Sequence, residues 1–476
     1  MIYDVAVIGA GVTGAHIARE LSRYRIRVAL LERSHDICMG TTKANSAVVH
    51  AGYDAQPGSK KALLNLAGAR LMPQLCAELH IPFQPIGSLL VAFSQQELPM
   101  LEALRLRGET NGVPGLVILN QEELRRKEPN ISEGALAALY APSAGIVCPF
   151  ELCFAAVESA VDNGVTLLRN FAVDAIRCEK DALTVCAEER EIRARYVVNA
   201  AGVHGADIAA LIGDDSIHTV PRKGEYLLLD RNVGHFAKHV LFQCPNEMGK
   251  GVLVTPTVDG NLLVGPSAQD TEDAEDCSTT TLALEGVTRT AQKTLPALPV
   301  RGCITSFAGL RAHSETDDFI LEYSAADSRM YHAAGIESPG LTAAPAIGAY
   351  AARELAERGG FALRDDFNPT RRKPVRFREM DNQERRALIA QNNAYGRIVC
   401  RCETVTEGEV RDAIRANGGA VDLDGVKRRV RAGAGRCQGG FCGPQVLEIL
   451  CEELNLPPEG ITKSGGESWI LSEKTK

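Results

Sequence analysis

Two groups of residues in this chain have the types and spacing for redox or nucleotide chemistry. The first is Cys400-Arg-Cys402 and, after thirty-four intervening residues, Cys437-Gln-Gly-Gly-Phe-Cys442. Four thiolates converging from two short loops form a soft-metal arrangement. Zinc takes four thiolates tetrahedrally, usually from C-x2–4-C spacings, and a [2Fe–2S] cluster also takes four cysteines. Residue type alone leaves both open. The second group is Gly9, Gly11 and Gly14, which with Val12 and Thr13 make G-x-G-x-x-G directly after the apolar run Val5 to Ile8. Gly9 permits the tight turn, Gly11 lets the backbone approach a pyrophosphate, and Gly14 lets a helix pack closely on the strand. A second apolar run, Val28 to Leu31, ends in Glu32 and Arg33. Glu32 is placed to bind ribose and argues against a 2′-phosphate, so the ligand is FAD or NAD.

The elements that must position these groups follow from the patterning. Strand, turn, helix and strand in the first 32 residues read as a βαβ unit of an α/β fold. Helical spacing recurs over 60–79, 149–163 and 343–358, and short strand-like runs cover 165–168, 196–201, 319–321 and 330–334. Residues 216–310 are rich in strand-like runs, with one amphipathic segment over 280–295, and read as a mixed sheet inserted into the nucleotide fold. Near the C-terminus, Thr406 to Ala416 reads as a helix opened by a Thr406-x-x-Glu409 capping box. Residues 433–440 are glycine-rich, a helix starts near Pro444, and Cys451 on it has no role in a four-cysteine site.

At 476 residues the chain is long enough for two or three domains. An apolar content of 45% and a charged content of 24% are those of a globular protein. No basic and apolar leader precedes the first strand, and no apolar run approaches a membrane span. Most of the other cysteines sit singly in apolar surroundings, as Cys76 and Cys186 do, and read as buried thiols of a reducing compartment, so a cytoplasmic location is expected. A net charge of −8 argues against nucleic acid. The charge is uneven: residues 371–476 hold 19 Lys and Arg against 15 Asp and Glu, and the rest 33 against 45. Arg371, Arg372, Lys373, Arg376 and Arg378 concentrate the excess. This basic arm is read either as a solvated linker or as a segment docking on an acidic surface or an anionic membrane face.

Several stretches, in order, resemble the FAD-dependent oxidoreductases of the D-amino-acid oxidase superfamily, most of all its glycerol-3-phosphate dehydrogenase and L-2-hydroxyglutarate oxidase branches. Residues 1–370 carry the likeness. Thr41, Thr42, Asn45 and Ser46, continuing through Val48-Val-His50-Ala-Gly52, resemble the loop that lies against the flavin ring. Val173 falls where the family contacts adenine through its backbone, and Val197-Val-Asn-Ala-Ala201-Gly202 resembles the second nucleotide turn. Gly309-Leu-Arg311 resembles the substrate-side strand with its anion-binding arginine. The last flavin turn is matched by residues 335–342, from Gly335 through Gly340 and Leu341 to Thr342. Cys400, Cys402, Cys437 and Cys442, with the glycines before the third cysteine, resemble the bacterioferritin-associated-ferredoxin (BFD) type of [2Fe–2S] domain.

The resemblance implies FAD rather than NAD and a [2Fe–2S] cluster rather than zinc. It implies a Rossmann-like FAD-binding domain (about 1–80, 140–215 and 311–370), an inserted mixed-sheet substrate domain (about 81–139 and 216–310), a basic linker over 371–396, and a small, mainly helical iron–sulfur domain over 397–476. His50 is the expected proton-accepting base, with a flavin-contacting or substrate-anchoring role as its alternative; His313 and His204 are weaker candidates. Arg311 is expected to bind the substrate's phosphate or carboxylate, with Arg222, Lys223 and Tyr226 on the inserted sheet facing the flavin. The implied reaction is oxidation of sn-glycerol 3-phosphate to dihydroxyacetone phosphate, with electrons passing through the cluster to a quinone or an iron–sulfur protein subunit. L-2-hydroxyglutarate oxidation is the alternative, followed by amine oxidation. Outside catalysis on its own substrate, the reading left is an electron-transfer subunit within a homo- or hetero-oligomer, associated peripherally with a membrane or free of one.

Overall fold

Strand β1 (Ile2–Ile8) sits inside an eight-stranded sheet, where its run Val5 to Ile8 is buried. The computed structural model describes residues 2–245 and 251–473. On one side β1 pairs in parallel with β2 (Val28–Leu31) and then Thr166–Leu168. On the other it pairs in parallel with Arg190–Asn199, whose C-terminal half pairs with Met330–Ala334. The hairpin Ala175–Cys178 and Leu183–Ala187 and the strand Ile320–Tyr323 add antiparallel edges. The strand order reverses beside β1, so the carboxyl ends of β1 and Arg190–Asn199 open a crevice for a ligand.

Helix α1 (Val12–Leu21) leaves that crevice at once. Gly9 takes φ +103°, and a Cβ there would meet the Ala200 carbonyl oxygen at 2.4 Å. A Cβ at Gly14 would come within 1.9 Å of the Gly9 carbonyl oxygen. Helix α2 (Lys60–Glu78) and the helix Gly340–Gly359 pack behind, so tightly that a Cβ at Gly68 would lie 2.0 Å from the Thr342 carbonyl oxygen.

The inserted sheet has nine strands. Its longest pair, Thr219–Leu229 against Cys303–Ser314, sets Arg222 opposite Arg311 and Tyr226 opposite Phe307. Because Cys303–Ser314 runs past the boundary drawn at 310, Arg311 belongs to the inserted sheet and not to the nucleotide fold. The helix Thr281–Thr294 covers this sheet, filling the amphipathic segment expected there.

Residues 398–454 form two short strands (Ile398–Cys400 and Val405–Thr406) and three helices (Glu407–Arg415, Leu423–Val430 and Gly443–Leu454) around their own apolar core. The capping box is present: the Thr406 N–H donates to Glu409 at 2.8 Å, and the Glu409 N–H to the Thr406 hydroxyl at 3.2 Å.

The basic arm is not a solvated linker. Buried Arg371 pairs with Glu158 at 2.9 Å and Glu151 at 3.0 Å, Arg376 reaches Glu151 at 2.7 Å, and Arg378 reaches Asp259 at 2.5 Å. Only Arg372 and Lys373 of its first three cations stay exposed. Desolvating an isolated guanidinium is costly, so the arm follows the acids of the nucleotide fold and inserted sheet.

A second tie is Asp36, fully buried after β2, which accepts from Arg429 at 2.6 and 2.8 Å and from Arg428 at 2.7 Å. Burial alone would raise its pKa, but the hydrogen bonds and charges of Arg429 and Arg428 outweigh it and hold it down at about 2. A depressed carboxyl stabilises above its unfolded pKa, roughly 3.9, and that contribution fades as pH falls towards the folded value. Asp36→Asn leaves two guanidinium groups without their counter-charge, at a cost of about 3–5 kcal/mol. The expected outcome is faster proteolytic release of the 398–473 segment at neutral pH, with wild type converging on the mutant's behaviour below pH 3.

Candidate active site and metal centre

A cavity of about 930 Å³ runs from the glycine turn to the inserted sheet. At the nucleotide end its wall includes Gly9, Gly11, Val12, Thr13, Glu32 and Arg33. Glu32 is buried and accepts the Ala10 and Ser34 N–H groups, both at 2.9 Å; burial raises its pKa. Arg33 turns outward to Glu275 at 2.7 Å. The Val12 N–H, at the start of α1, donates to the Thr42 hydroxyl at 3.0 Å, fixing the next loop to this helix. Val173, Ala201 and Gly202 also line the cavity, as does His204. Gly14 does not; its role is the helix–strand contact.

The loop 40–53 forms the middle of the wall. Asn45 shapes it, donating to the Thr42 carbonyl at 2.8 Å and accepting the Ala47 N–H at 2.9 Å. The Thr41 hydroxyl reaches the Leu310 carbonyl at 2.5 Å, and Ser46 lies 3.3 Å from the Tyr226 hydroxyl. A Cβ at Gly309 would lie 2.1 Å from the Ala44 carbonyl oxygen, so glycine there lets the arginine strand close on the loop. The His50 N–H donates to the Thr342 hydroxyl at 2.9 Å, and its Nε2 stands 3.3 Å from the Ser338 hydroxyl. Gly340 and Leu341, at the N-terminus of the helix Gly340–Gly359, line the cavity opposite; Gly335 and Thr342 lie behind them as turn and anchor.

On the inserted sheet, side chains two apart share a face. Arg222 and Tyr226 therefore both line the cavity, and so does Arg311, the cross-strand partner of Arg222. Lys223 points to the other side, where its Nζ pairs with Asp276 at 2.7 Å, so the expectation that it faces the substrate is corrected. Arg222 is in the cavity but its charge is matched by Asp270, at 2.5 and 3.2 Å. Arg311 is different. Its guanidinium donates to the carbonyl of Ser267 at 3.1 Å and of Arg222 at 3.5 Å, and among the described residues no carboxylate pairs with it. Tyr226 is buried and stacks on Phe307 at 4.9 Å between ring centres.

Sequence reasoning missed Lys61, Asp317 and Glu337, which join His313 in the wall near Arg311. Glu337 lies within the glycine turn already singled out, which was the one available signal; Lys61 and Asp317 had none.

The four cysteines converge. Cys402 Sγ is 3.7 Å from Cys400 Sγ and 3.9 Å from Cys437 Sγ, and a Cβ at Gly435 would meet Cys402 Sγ at 2.5 Å. A hydrogen bond from Cys442 and backbone N–H groups of Gly433 and Glu403 hold the Cys400 thiol down at about 5, favouring the thiolate that a metal needs. A tetrahedral zinc would hold all four sulfurs at about 3.8 Å separations, and a two-iron cluster divides its four cysteines between two metals. Cys402 is exposed, and Phe441 beside Cys442 is 86% exposed.

Comparison with known proteins places this geometry. Residues 4–354 match the FAD dependent oxidoreductase family, and residues 398–452 match the BFD-like [2Fe-2S] binding domain. A glycerol 3-phosphate dehydrogenase of Caloramator mitchellensis is 45% identical over 478 residues, covering 100% of this chain and 99% of its own. The human mitochondrial L-2-hydroxyglutarate dehydrogenase is 28% identical over 75% of this chain and 89% of its own. Among solved structures, the dithionite-reduced L-α-glycerophosphate oxidase of Mycoplasma pneumoniae with FAD bound superimposes with a TM-score of 0.75, at 30% identity, over 78% of this chain and 98% of its own. Among the described residues no helix is long and apolar enough to cross a membrane.

Proposed function

The chain belongs to the FAD-dependent oxidoreductase family, with FAD and a [2Fe–2S] cluster as its cofactors, and on that premise we propose that it oxidises sn-glycerol 3-phosphate to dihydroxyacetone phosphate. The observation that carries this reading is Arg311: a guanidinium without a carboxylate partner, in the same cavity as His50 and the nucleotide turn. The flavin supplies a hydride acceptor and the cluster a one-electron outlet to a quinone or protein acceptor.

The chain's own residues bind and deprotonate. Arg311 holds the anionic end of the substrate through charge-assisted hydrogen bonds. His50 takes the carbinol proton at Nε2, with the Ser338 hydroxyl as the neighbour that orients that nitrogen. The Thr342 hydroxyl, by accepting the backbone N–H of His50 and donating to the Val48 carbonyl at 3.3 Å, ties the backbone that carries the imidazole to the helix Gly340–Gly359. Cys400, Cys402, Cys437 and Cys442 would hold the cluster, and an electron acceptor would approach it on the side of exposed Cys402 and Phe441. Glu32 binds the adenosine ribose, and the turns at Gly9, Gly202 and Gly340 seat the rest of FAD.

Anaerobic mixing tests the reading. sn-Glycerol 3-phosphate is expected to bleach the flavin absorbance within one turnover. Bleaching by L-2-hydroxyglutarate in its place would transfer the same Arg311 and His50 to a 2-hydroxy acid and overturn the proposal. His50→Asn is expected to slow that bleaching by roughly 10²–10⁴-fold, with the cofactor content unchanged.

A further inference from the structure

Beside Arg311 stands a cluster that the steps above leave unused. His313 lies two residues along the same strand, so its side chain shares the face of Arg311 at a spacing of about 6.6 Å. Its Nδ1 is 2.9 Å from Glu337 Oε1. Lys61 Nζ lies 3.1 Å from that same oxygen and 2.7 Å from Asp317 Oδ1. His313, Asp317 and Glu337 bring their ligand atoms within 4.8 Å of one another, as a metal site would. The Lys61 ammonium already sits among them, so the cation is built into the chain. Lys61 and Glu337 are both about nine-tenths buried, at 10% and 11% side-chain exposure. Burial opposes both charges, and each outweighs it for the other: Lys61 is held protonated by Glu337 and Asp317, and Glu337 ionised by Lys61 and His313.

We propose that His313, oriented by the Glu337–Lys61 pair, is the second cationic donor for the substrate's anionic end, and that it makes the site select a phosphate dianion over a carboxylate. This rests on the reading of the cavity as a glycerol 3-phosphate site. Two donors on one strand face at this spacing span a phosphate group, whose dianion needs two counter-charges; a carboxylate is satisfied by Arg311 alone. Around His313 stand Lys61 from α2, Arg311 from its own strand and Arg222 from the neighbouring one, together with the carboxylates of Glu337, Asp317 and Asp270. Glu337 and Lys61 act through His313 and are positioning residues.

The test uses the full holoenzyme between pH 7 and 9, where a phosphate monoester, with its second pKa near 6, keeps a constant charge. His313→Asn raises KM for sn-glycerol 3-phosphate by about tenfold or more and leaves kcat within about threefold. Glu337→Gln, which keeps the shape of the side chain but removes the charge that orients His313, raises KM by a smaller factor. Inorganic phosphate and acetate, read through their perturbation of the flavin spectrum, serve as dianion and monoanion probes. Wild type favours phosphate, and His313→Asn loses that preference. A His313→Asn enzyme that keeps the wild-type KM and phosphate preference overturns the proposal. Failure of the wild-type flavin to bleach with sn-glycerol 3-phosphate overturns the functional reading instead, and the probe titrations distinguish the two.

Discussion

Arg311→Met is expected to raise the KM for sn-glycerol 3-phosphate by roughly 10²-fold or more, with the flavin spectrum and FAD content unchanged. The guanidinium spends its hydrogen bonds on backbone carbonyls, at 3.1 and 3.5 Å, and makes no ion pair with a carboxylate among the described residues. Its removal deletes a charge-assisted contact worth about 3 kcal/mol and leaves no carboxylate unpaired, so the fold should tolerate the change. Arg222 is the control, because its charge is matched by Asp270. Arg222→Met should alter KM less than Arg311→Met. Arg311→Lys should recover only part of the loss, since a lysine offers a point charge where the guanidinium offers a planar pair of donors. The measurement is steady-state KM together with the substrate dependence of anaerobic flavin reduction. Equal effects at both arginines would remove the special status of Arg311.

The second large effect concerns electron exit. Cys402→Ser and Cys437→Ser each delete one thiolate from the four-cysteine centre, and serine is a poor ligand for iron. The expected outcome is loss of the cluster's visible and paramagnetic signatures and of bound iron. Turnover with a one-electron acceptor should fall by about 10²-fold, while reduction of the flavin by substrate stays within about threefold, because the cavity wall contains neither cysteine. Bound zinc in the wild type, or unimpaired acceptor turnover in both variants, would sink the relay.

How much of this was legible beforehand depends on the distance over which each signal acts. The turn at Gly9 and Gly14 could be read because strand, turn and helix are consecutive: a Cβ at Gly14 would strike the Gly9 carbonyl in the same unit, although the carbonyl that bars a Cβ at Gly9 belongs to Ala200, at the end of the neighbouring strand. The cysteine pairs, the capping box at Thr406 and Glu409, and the helix N-terminus at Gly340 are local in the same sense. Arg311 and His50 could be named, but the reason for each is tertiary: the strand that carries Arg311 closes on the loop at Ala44, and Thr342, 292 residues away, holds the His50 backbone.

What the chain alone could not specify was which neighbours share a face and which charges meet. Arg222 and Lys223 are adjacent cations of equal promise in the sequence, yet the strand period sends one to the cavity and the other to Asp276. The basic arm looked solvated or free to dock, and the acids at Glu151, Glu158 and Asp259 that bind it are scattered through the chain. The Asp36–Arg429 tie spans 393 residues, and Lys61 meets Glu337 across 276. By itself, then, the sequence determined the nucleotide turn, the inserted sheet and the soft-metal centre, because periodicity, glycine spacing and paired cysteines are short-range signals. Only the tertiary structure decided the anion clamp and the seating of the C-terminal domain. Buried ion pairs form wherever folding brings opposite charges together, and no local pattern records that meeting.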